Sequence, residues 1–169
     1  MKRGKVQFCH GKESGPWGVK IQRLARVAEA QGYEVESLDY SGINNPDERV
    51  AKLLKAQKPE ENLILVGSSM GAYVATVASK TLAPEGLFLM APAVEVSGYR
   101  SPDLLPTAKH RAIVHGWRDE LIPPENSFRF AAKHQIALHL IDGDHRLNDQ
   151  IDLIEKLFNL FLTTIAESS

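Results

Sequence analysis

A serine with a glycine two residues away on each side lies between a predicted strand and a predicted helix, and this feature constrains the fold most. Residues 67–71 read Gly-Ser-Ser-Met-Gly, after the apolar run 63–66 and before the helix-like run 72–78. A chain that passes from strand to helix over so few residues must turn sharply, and glycines allow the close backbone approach that such a turn needs. The pattern therefore predicts that Ser69 projects its hydroxyl group from the end of a strand.

An acid and a histidine occupy equivalent places later in the chain. Asp119 follows one short apolar run and His145 follows another, and each run is typical of a buried strand. Because the carboxyl ends of parallel strands meet at one edge of a sheet, we expect Ser69, Asp119 and His145 to lie close together. Glu120 is adjacent to Asp119, and either carboxylate could serve chemically.

Strand-like and helix-like segments alternate along the whole chain. Predicted strands cover residues 5–9, 33–38, 62–67, 86–91, 111–115 and 137–141. Predicted helices cover residues 17–31, 46–57, 70–82, 124–134 and 147–165. This alternation implies right-handed crossovers and a parallel sheet with helices on both faces, and 169 residues are enough for one such domain, residues 1–169.

The motifs together resemble those of the α/β-hydrolase superfamily, whose chain order is serine, then acid, then histidine. The likeness is greatest to small, nearly lidless bacterial serine esterases, because the first strand leads directly into residues 10–16, His-Gly-Lys-Glu-Ser-Gly-Pro. The resemblance implies a minimal six-stranded sheet, with the first two strands of the full fold missing and a spatial order of 2-1-3-4-5-6. It also implies no cap domain, because the irregular stretch 92–109 is too short for one.

The residue types predict a division of chemical roles. Ser69 is the candidate nucleophile and His145 the base that takes its proton and returns it to the leaving group. Asp119 is the candidate acid that orients His145, because the motif His-Gly-x-x-Asp of the family matches it rather than Glu120.

Two backbone N–H groups are expected to stabilise the oxyanion. The resemblance assigns one to Met70, directly after the nucleophile, and the other to Lys12 in the loop after the first strand. Gly11 and Glu13 remain alternatives for the second donor. The side chain of Lys12 either places a positive charge near the site, which would favour an anionic substrate, or is simply solvated.

Five other histidines have different predicted roles. His10 is expected to shape the turn after the first strand, and His115 to brace the loop that carries Asp119. The others are expected to be surface or strand residues: His110, His134 and His139.

A substrate pocket is predicted less directly, from apolar and aromatic residues near these loops in sequence. The candidates are Trp17, Tyr73, Tyr99, Trp117 and Leu121. Such residues either line an acyl or alcohol pocket or belong to the core.

The composition excludes several classes of function. The formal net charge is −1, so no basic footprint indicates nucleic-acid or membrane binding. The chain carries no phosphate-binding glycine loop and no Cys/His cluster with metal spacing, so we expect neither a cofactor nor a metal. A single cysteine, and an apolar stretch too short for a signal peptide after the basic start, favour a cytoplasmic protein.

These observations predict a serine hydrolase that cleaves small carboxylic esters through an acyl-enzyme. Thioesters and activated amides pass through the same intermediate, so a thioesterase or a small amide or peptide hydrolase is the nearest alternative. A hydrolase fold retained as a non-catalytic binding module is an alternative of another class. The sequence predicts no oligomeric state.

Overall fold

One parallel sheet forms the centre of the molecule. The computed structural model describes residues 2–99 and 103–168, and within them six strands are ordered β2-β1-β3-β4-β5-β6. The strands are β1 (Lys5–Cys9), β2 (Glu34–Ser37), β3 (Leu63–Ser68), β4 (Gly86–Met90), β5 (His110–Gly116) and β6 (Ala137–Ile141). All neighbouring pairs are parallel, so the predicted topology and spatial order are confirmed.

Helices cover both faces of the sheet. They are α1 (Val19–Ala30), α2 (Pro46–Ala56), α3 (Met70–Leu82), α4 (Pro124–His134) and α5 (Ile151–Ser168). The first helix begins two residues later than predicted, because Gly18 is extended and forms its N-cap. The last begins four residues later than predicted, because Leu147 is left-handed and a short 3₁₀ turn, Asn148–Gln150, precedes it.

Two separate apolar cores result, one on each face. Side chains that alternate along β3 point to opposite faces, with Leu65 in one core and Ile64 and Val66 in the other. Helices α1 and α5 cover the Val66 side, and α2, α3 and α4 cover the Leu65 side. Across the strands, Val66 is in register with Phe8 on one side and Phe88 on the other. This double cover leaves the carboxyl edge of the strands free for loops.

The segment between β4 and β5 contains no helix or strand in residues 91–99 and 103–109, which are its described parts. The stretch 92–109, predicted to be too short for a cap domain, includes residues 100–102, which lie outside the described residues. None of the helices in the described ranges has both the length and the apolar character needed to cross a bilayer.

Candidate active site

The turn between β3 and α3 holds Ser69 in a conformation that L-residues rarely adopt. Its φ is 55° and its ψ is −117°. A Cβ on Gly67 would lie 2.5 Å from Ala72 Cα, and a Cβ on Gly71 would lie 1.9 Å from the carbonyl oxygen of Cys9. Both positions therefore require glycine, and the strained serine is held by the packing around it.

The structure brings Ser69, His145 and Asp119 together. Ser69 Oγ lies 3.0 Å from His145 Nε2, and His145 Nδ1 lies 2.7 Å from Asp119 Oδ2. The carboxylate accepts a hydrogen bond from Nδ1–H, so Nε2 is free to accept the proton of the Ser69 hydroxyl. The side chain of His145 is 18% exposed and that of Asp119 is fully buried, so the chain of hydrogen bonds runs from the interior to the surface.

Asp119 is surrounded by four hydrogen-bond donors. Its Oδ1 accepts from the backbone N–H groups of Leu121 and Ile122 at 2.9 and 2.8 Å, and its Oδ2 accepts from His145 and from His115. Burial alone would raise the pKa of the Asp119 carboxyl. Hydrogen bonds from the two histidines and from the Ile122 N–H outweigh burial and hold the pKa well below its ordinary value. The carboxylate is therefore ionised at neutral pH.

The rival carboxylate has a different position. Glu120 is exposed, whereas Asp119 faces inward to His145. Of the two acids that the sequence left open, the structure brings only Asp119 to the histidine.

His115 is a fully buried second histidine on the same carboxylate. Its Nε2 lies 2.9 Å from Asp119 Oδ2 and 3.0 Å from the Ile122 carbonyl, and its Nδ1 lies 2.6 Å from Ser127 Oγ. Two acceptors face Nε2, so that nitrogen carries a proton, and Nδ1 pairs with the serine hydroxyl. His115 holds the loop of Asp119 as predicted, but sequence reasoning missed Ser127, because nothing in the pattern of α4 distinguishes it.

The loop that carries His145 is held from two sides. The backbone N–H of Leu147 donates to Asp144 Oδ1 at 2.9 Å, and Lys20 Nζ of α1 donates to the Arg146 carbonyl at 3.0 Å. Burial lowers the pKa of the Lys20 ammonium to about 8, although the charge of Asp144 acts to raise it. Sequence reasoning did not identify Lys20, because its contact with this loop spans 126 residues.

The loop after β1 lies directly against the serine. A Cβ on Gly11 would be 3.6 Å from Ser69 Cβ and 3.5 Å from the Ser68 carbonyl. Neither the N–H of Met70 nor that of Lys12 donates a hydrogen bond within residues 2–99 and 103–168. Neither N–H group is therefore engaged by another described residue, and their oxyanion roles stay predictions.

His10 shapes this loop from inside. Its side chain is fully buried, its Nε2 accepts from the Tyr40 N–H at 2.8 Å, and its Nδ1 donates to the Gly11 carbonyl at 2.8 Å. Burial lowers the pKa of the imidazole, which agrees with the neutral form that these partners require. The turn-shaping role predicted for His10 is therefore seen in its contacts.

Three of the predicted pocket residues lie on exposed loops. Trp17 follows β1, and Trp117 and Leu121 follow β5, so all three are at the carboxyl end of the sheet. They are 44%, 58% and 75% exposed. Their apolar surface is available to a substrate, which a core position would not allow.

The other two pocket residues belong elsewhere. Tyr73 of α3 is fully buried in the apolar core on the α2, α3 and α4 side of the sheet, and its hydroxyl donates to Asp47 at 3.0 Å, so its assignment to a substrate pocket is wrong. Its ring packs against Tyr99 with 4.7 Å between centroids. Tyr99 lines a cavity of about 290 Å³ with Leu104 and Phe130, and no triad side chain is among the lining residues.

The described residues offer no evident metal site. Within residues 2–99 and 103–168, no group of three His, Cys, Asp or Glu side chains is placed to hold a metal ion.

Comparison with known structures finds proteins that are similar to this chain over most of its length and most of theirs. A protein of the α/β superfamily of hydrolases from Xanthomonas campestris pv. campestris is 31% identical, with a TM-score of 0.87, over 97% of this chain and 99% of that chain. A serine hydrolase without a lid from Xanthomonas campestris is 21% identical, with a TM-score of 0.79, over 96% and 82% of the two chains. Est1E from Butyrivibrio proteoclasticus is 17% identical, with a TM-score of 0.80, over 98% and 89%. No protein-family model and no curated protein sequence matches the chain.

Proposed function

Because the chain belongs to the α/β-hydrolase superfamily, we propose that it is a serine hydrolase that cleaves small carboxylic esters. One observation carries the proposal: a continuous line of hydrogen bonds runs from Ser69 through His145 to Asp119, with distances of 3.0 and 2.7 Å. A serine hydroxyl alone is a poor nucleophile, and this arrangement supplies the base that activates it.

The proposed reaction begins with attack of Ser69 Oγ on the ester carbonyl carbon. The hydroxyl proton moves to His145 Nε2, and the carbonyl electron pair moves to oxygen to form a tetrahedral oxyanion. The N–H groups of Met70 and Lys12 donate to that oxyanion. Asp119 remains ionised and stabilises the imidazolium that forms.

Collapse of the intermediate breaks the bond to the alcohol, which leaves with the proton from His145. Water then attacks the acyl-enzyme, with His145 again acting as the base, and releases the acid and free Ser69. An open site without a cap, with exposed apolar side chains of Trp17 and Trp117 on loops at the carboxyl end of the sheet, favours small and accessible esters.

Initial rates on p-nitrophenyl esters of increasing acyl length test the proposal directly. Ser69→Ala should lower kcat/KM by at least about 10³-fold, because it removes the nucleophile. Ser68→Ala is the matched control, one residue away in the same turn, and should stay within a few-fold of wild type. Retained ester hydrolysis in folded Ser69→Ala would contradict the assigned nucleophile.

A fluorophosphonate probe separates the alternatives. Labelling of Ser69 together with turnover of thioesters or anilides but not of esters would replace the ester substrate and keep the triad. A folded wild-type protein that neither reacts with the probe nor turns over any of these substrates would overturn the proposal in favour of a binding module.

A further inference from the structure

A fully buried arginine lies behind the loop that contacts Ser69. We propose that Arg49 of α2 is a positioning residue for the second oxyanion donor, because it holds two successive carbonyl groups of that loop and so directs the Lys12 N–H towards Ser69. The inference rests on the proposed function, since it concerns a donor that acts only on a tetrahedral oxyanion.

The position of Arg49 is unusual for its residue type. Its residue exposure is 1%, and no carboxylate forms an ion pair with it in the part of the chain that the structure describes. Burial of a guanidinium without a counter-charge is costly, so its partners must compensate. Those partners are backbone carbonyl groups and the face of the Tyr40 ring, whose centroid lies 5.3 Å from the guanidinium carbon.

Two of these carbonyl groups belong to the loop after β1. Arg49 Nη1 donates to the His10 carbonyl at 3.0 Å and to the Gly11 carbonyl at 3.2 Å, and Nε donates to the Ile43 carbonyl at 2.7 Å. The rigid guanidinium therefore ties the loop to the segment that precedes α2 at a fixed distance.

Because the peptide bond is planar, the contacts of Arg49 with two carbonyl groups also set the direction of the N–H groups that follow them. In a trans peptide the C=O and the following N–H point in opposite directions. Carbonyl groups of His10 and Gly11 that point to Arg49 therefore turn the N–H groups of Gly11 and Lys12 away from it. The serine lies against this loop, with 3.6 Å between Ser69 Cβ and a Cβ built on Gly11.

The contacts also choose among the donors that the sequence left open. The Gly11 carbonyl is held by two donors, Arg49 Nη1 at 3.2 Å and His10 Nδ1 at 2.8 Å, so the peptide that carries the Lys12 N–H is held most firmly. Among the described residues, no donor holds the carbonyl of Lys12. The peptide that carries the Glu13 N–H is therefore not fixed in the same way. Lys12 is therefore the assigned donor.

The test compares variants that keep or remove the guanidinium donors. Arg49→Met removes them at similar length, and Arg49→Lys keeps the charge with a single donor point. Arg23→Met is the matched control, because Arg23 forms ion pairs with Asp152 and Glu155 between α1 and α5, away from the loop. Each variant is assayed for kcat and KM on a p-nitrophenyl ester, and for inhibition by a trifluoromethyl ketone that forms a tetrahedral adduct.

We expect Arg49→Met to lower kcat by about 10²–10³-fold, the effect of one lost oxyanion donor, with KM changed much less. Affinity for the trifluoromethyl ketone should fall by a similar factor, whereas a purely structural role would not reproduce that parallel. Arg49→Lys should fall between wild type and Arg49→Met, and Arg23→Met should match wild type.

Two results would overturn the inference: a folded Arg49→Met with kcat within about twofold of wild type, or a loss of kcat with unchanged ketone affinity. Should both Arg49 variants fail to fold, wild-type protein decides, because the ketone must shift the amide resonances of Lys12 and Met70. An unmoved Lys12 amide overturns the inference. A wild-type protein without ester turnover or Ser69 labelling would instead refute the proposed function.

Discussion

The dipeptide His-Gly occurs at the carboxyl end of two strands, and the two histidines form hydrogen bonds with different kinds of group. His10–Gly11 follows β1 and His115–Gly116 ends β5, on opposite sides of the strand that leads to Ser69. Both imidazoles are fully buried, and the hydrogen-bond partners of each hold its ring in place. They differ in the groups that they hold.

Both ring nitrogens of His10 form hydrogen bonds with main-chain groups. It accepts from the Tyr40 N–H and donates to the Gly11 carbonyl, so it orients a peptide plane. His115 instead connects two side chains, Ser127 and Asp119, so it orients a carboxylate. The same dipeptide thus orients the peptide that carries the Lys12 N–H, a donor, on one side of the site. On the other side it orients the Asp119 carboxylate, an acceptor. The surrounding elements decide which, since the sequence of the dipeptide is identical.

Replacement of the acceptor, Asp119, should produce the largest loss of kcat/KM. Asp119→Asn preserves shape but offers an amide to His145, so the imidazole loses the partner that sets its tautomer. We expect kcat/KM to fall by about 10³–10⁴-fold. Glu120→Gln is the matched control and should retain wild-type kinetics. Equal losses in the two variants would contradict the choice of Asp119.

Substitution of His10 and of His115 tests whether the two histidines hold different groups of the site. His115→Phe and His10→Phe each leave buried polar groups without partners, so each should lower the free energy of unfolding by about 1–3 kcal/mol. Displacement of a reacting group by roughly 1 Å can cost about 10²-fold in rate. Each of the two variants should therefore lose no more than about 10²-fold in kcat/KM.

The two variants should differ in a second measurement. His10→Phe should weaken binding of a trifluoromethyl ketone, because it loosens the Gly11–Lys12 peptide. His115→Phe should reduce the loss of stability below about pH 4, because it removes one of the hydrogen bonds that lower the pKa of Asp119. Identical responses in both assays would show that the two sides of the site are not specialised.

The difference in stability between wild type and Asp119→Asn isolates the contribution of the Asp119 carboxylate to the pH dependence. The pKa of Asp119 is lowered by folding, so its contribution is complete above the unfolded pKa of about 3.9 and is lost as pH falls towards the folded value. Urea unfolding should therefore show wild type more stable than Asp119→Asn at pH 7, with the difference narrowing below about pH 4. A difference that stays constant down to pH 3 would contradict the lowered pKa.

The smallest expected effect is in the core. Tyr73→Phe removes the hydrogen bond to Asp47, which should cost about 0.5–1.5 kcal/mol of stability. Its kcat and KM should match wild type, because the ring is fully enclosed in the core. A raised KM in a variant of normal stability would return Tyr73 to the substrate pocket.

Local signals in the chain were sufficient for the fold and for the order of its strands. Apolar runs followed by turn residues predicted all six strands, and the glycines around Ser69 predicted a turn that only glycine permits at positions 67 and 71. The errors at helix starts came from single residues, Gly18 and Leu147, whose backbone conformation depends on their surroundings.

Pocket residues were harder to predict, because nearness in sequence does not fix the direction of a side chain. Tyr73 is four residues from Ser69 but faces the core, while Trp117 faces solvent. Arg49 left a weak signal: it shares the buried side of α2 with Val50 and Leu53, where an arginine is unexpected. That signal indicates a buried charge without showing what the charge holds.

The sequence by itself determined the alternating architecture, the serine turn and the chain order of serine, acid and histidine, because these depend on local backbone geometry and on periodicity. Only the tertiary structure decided that Ser127 holds His115, that two backbone N–H groups hold Asp119, and that Arg49 lies behind Gly11. Some of these contacts join residues tens of positions apart, as Arg49 and Gly11 are, and their partners are often backbone groups that every residue carries. No sequence pattern distinguishes one of those groups from another until the chain has folded.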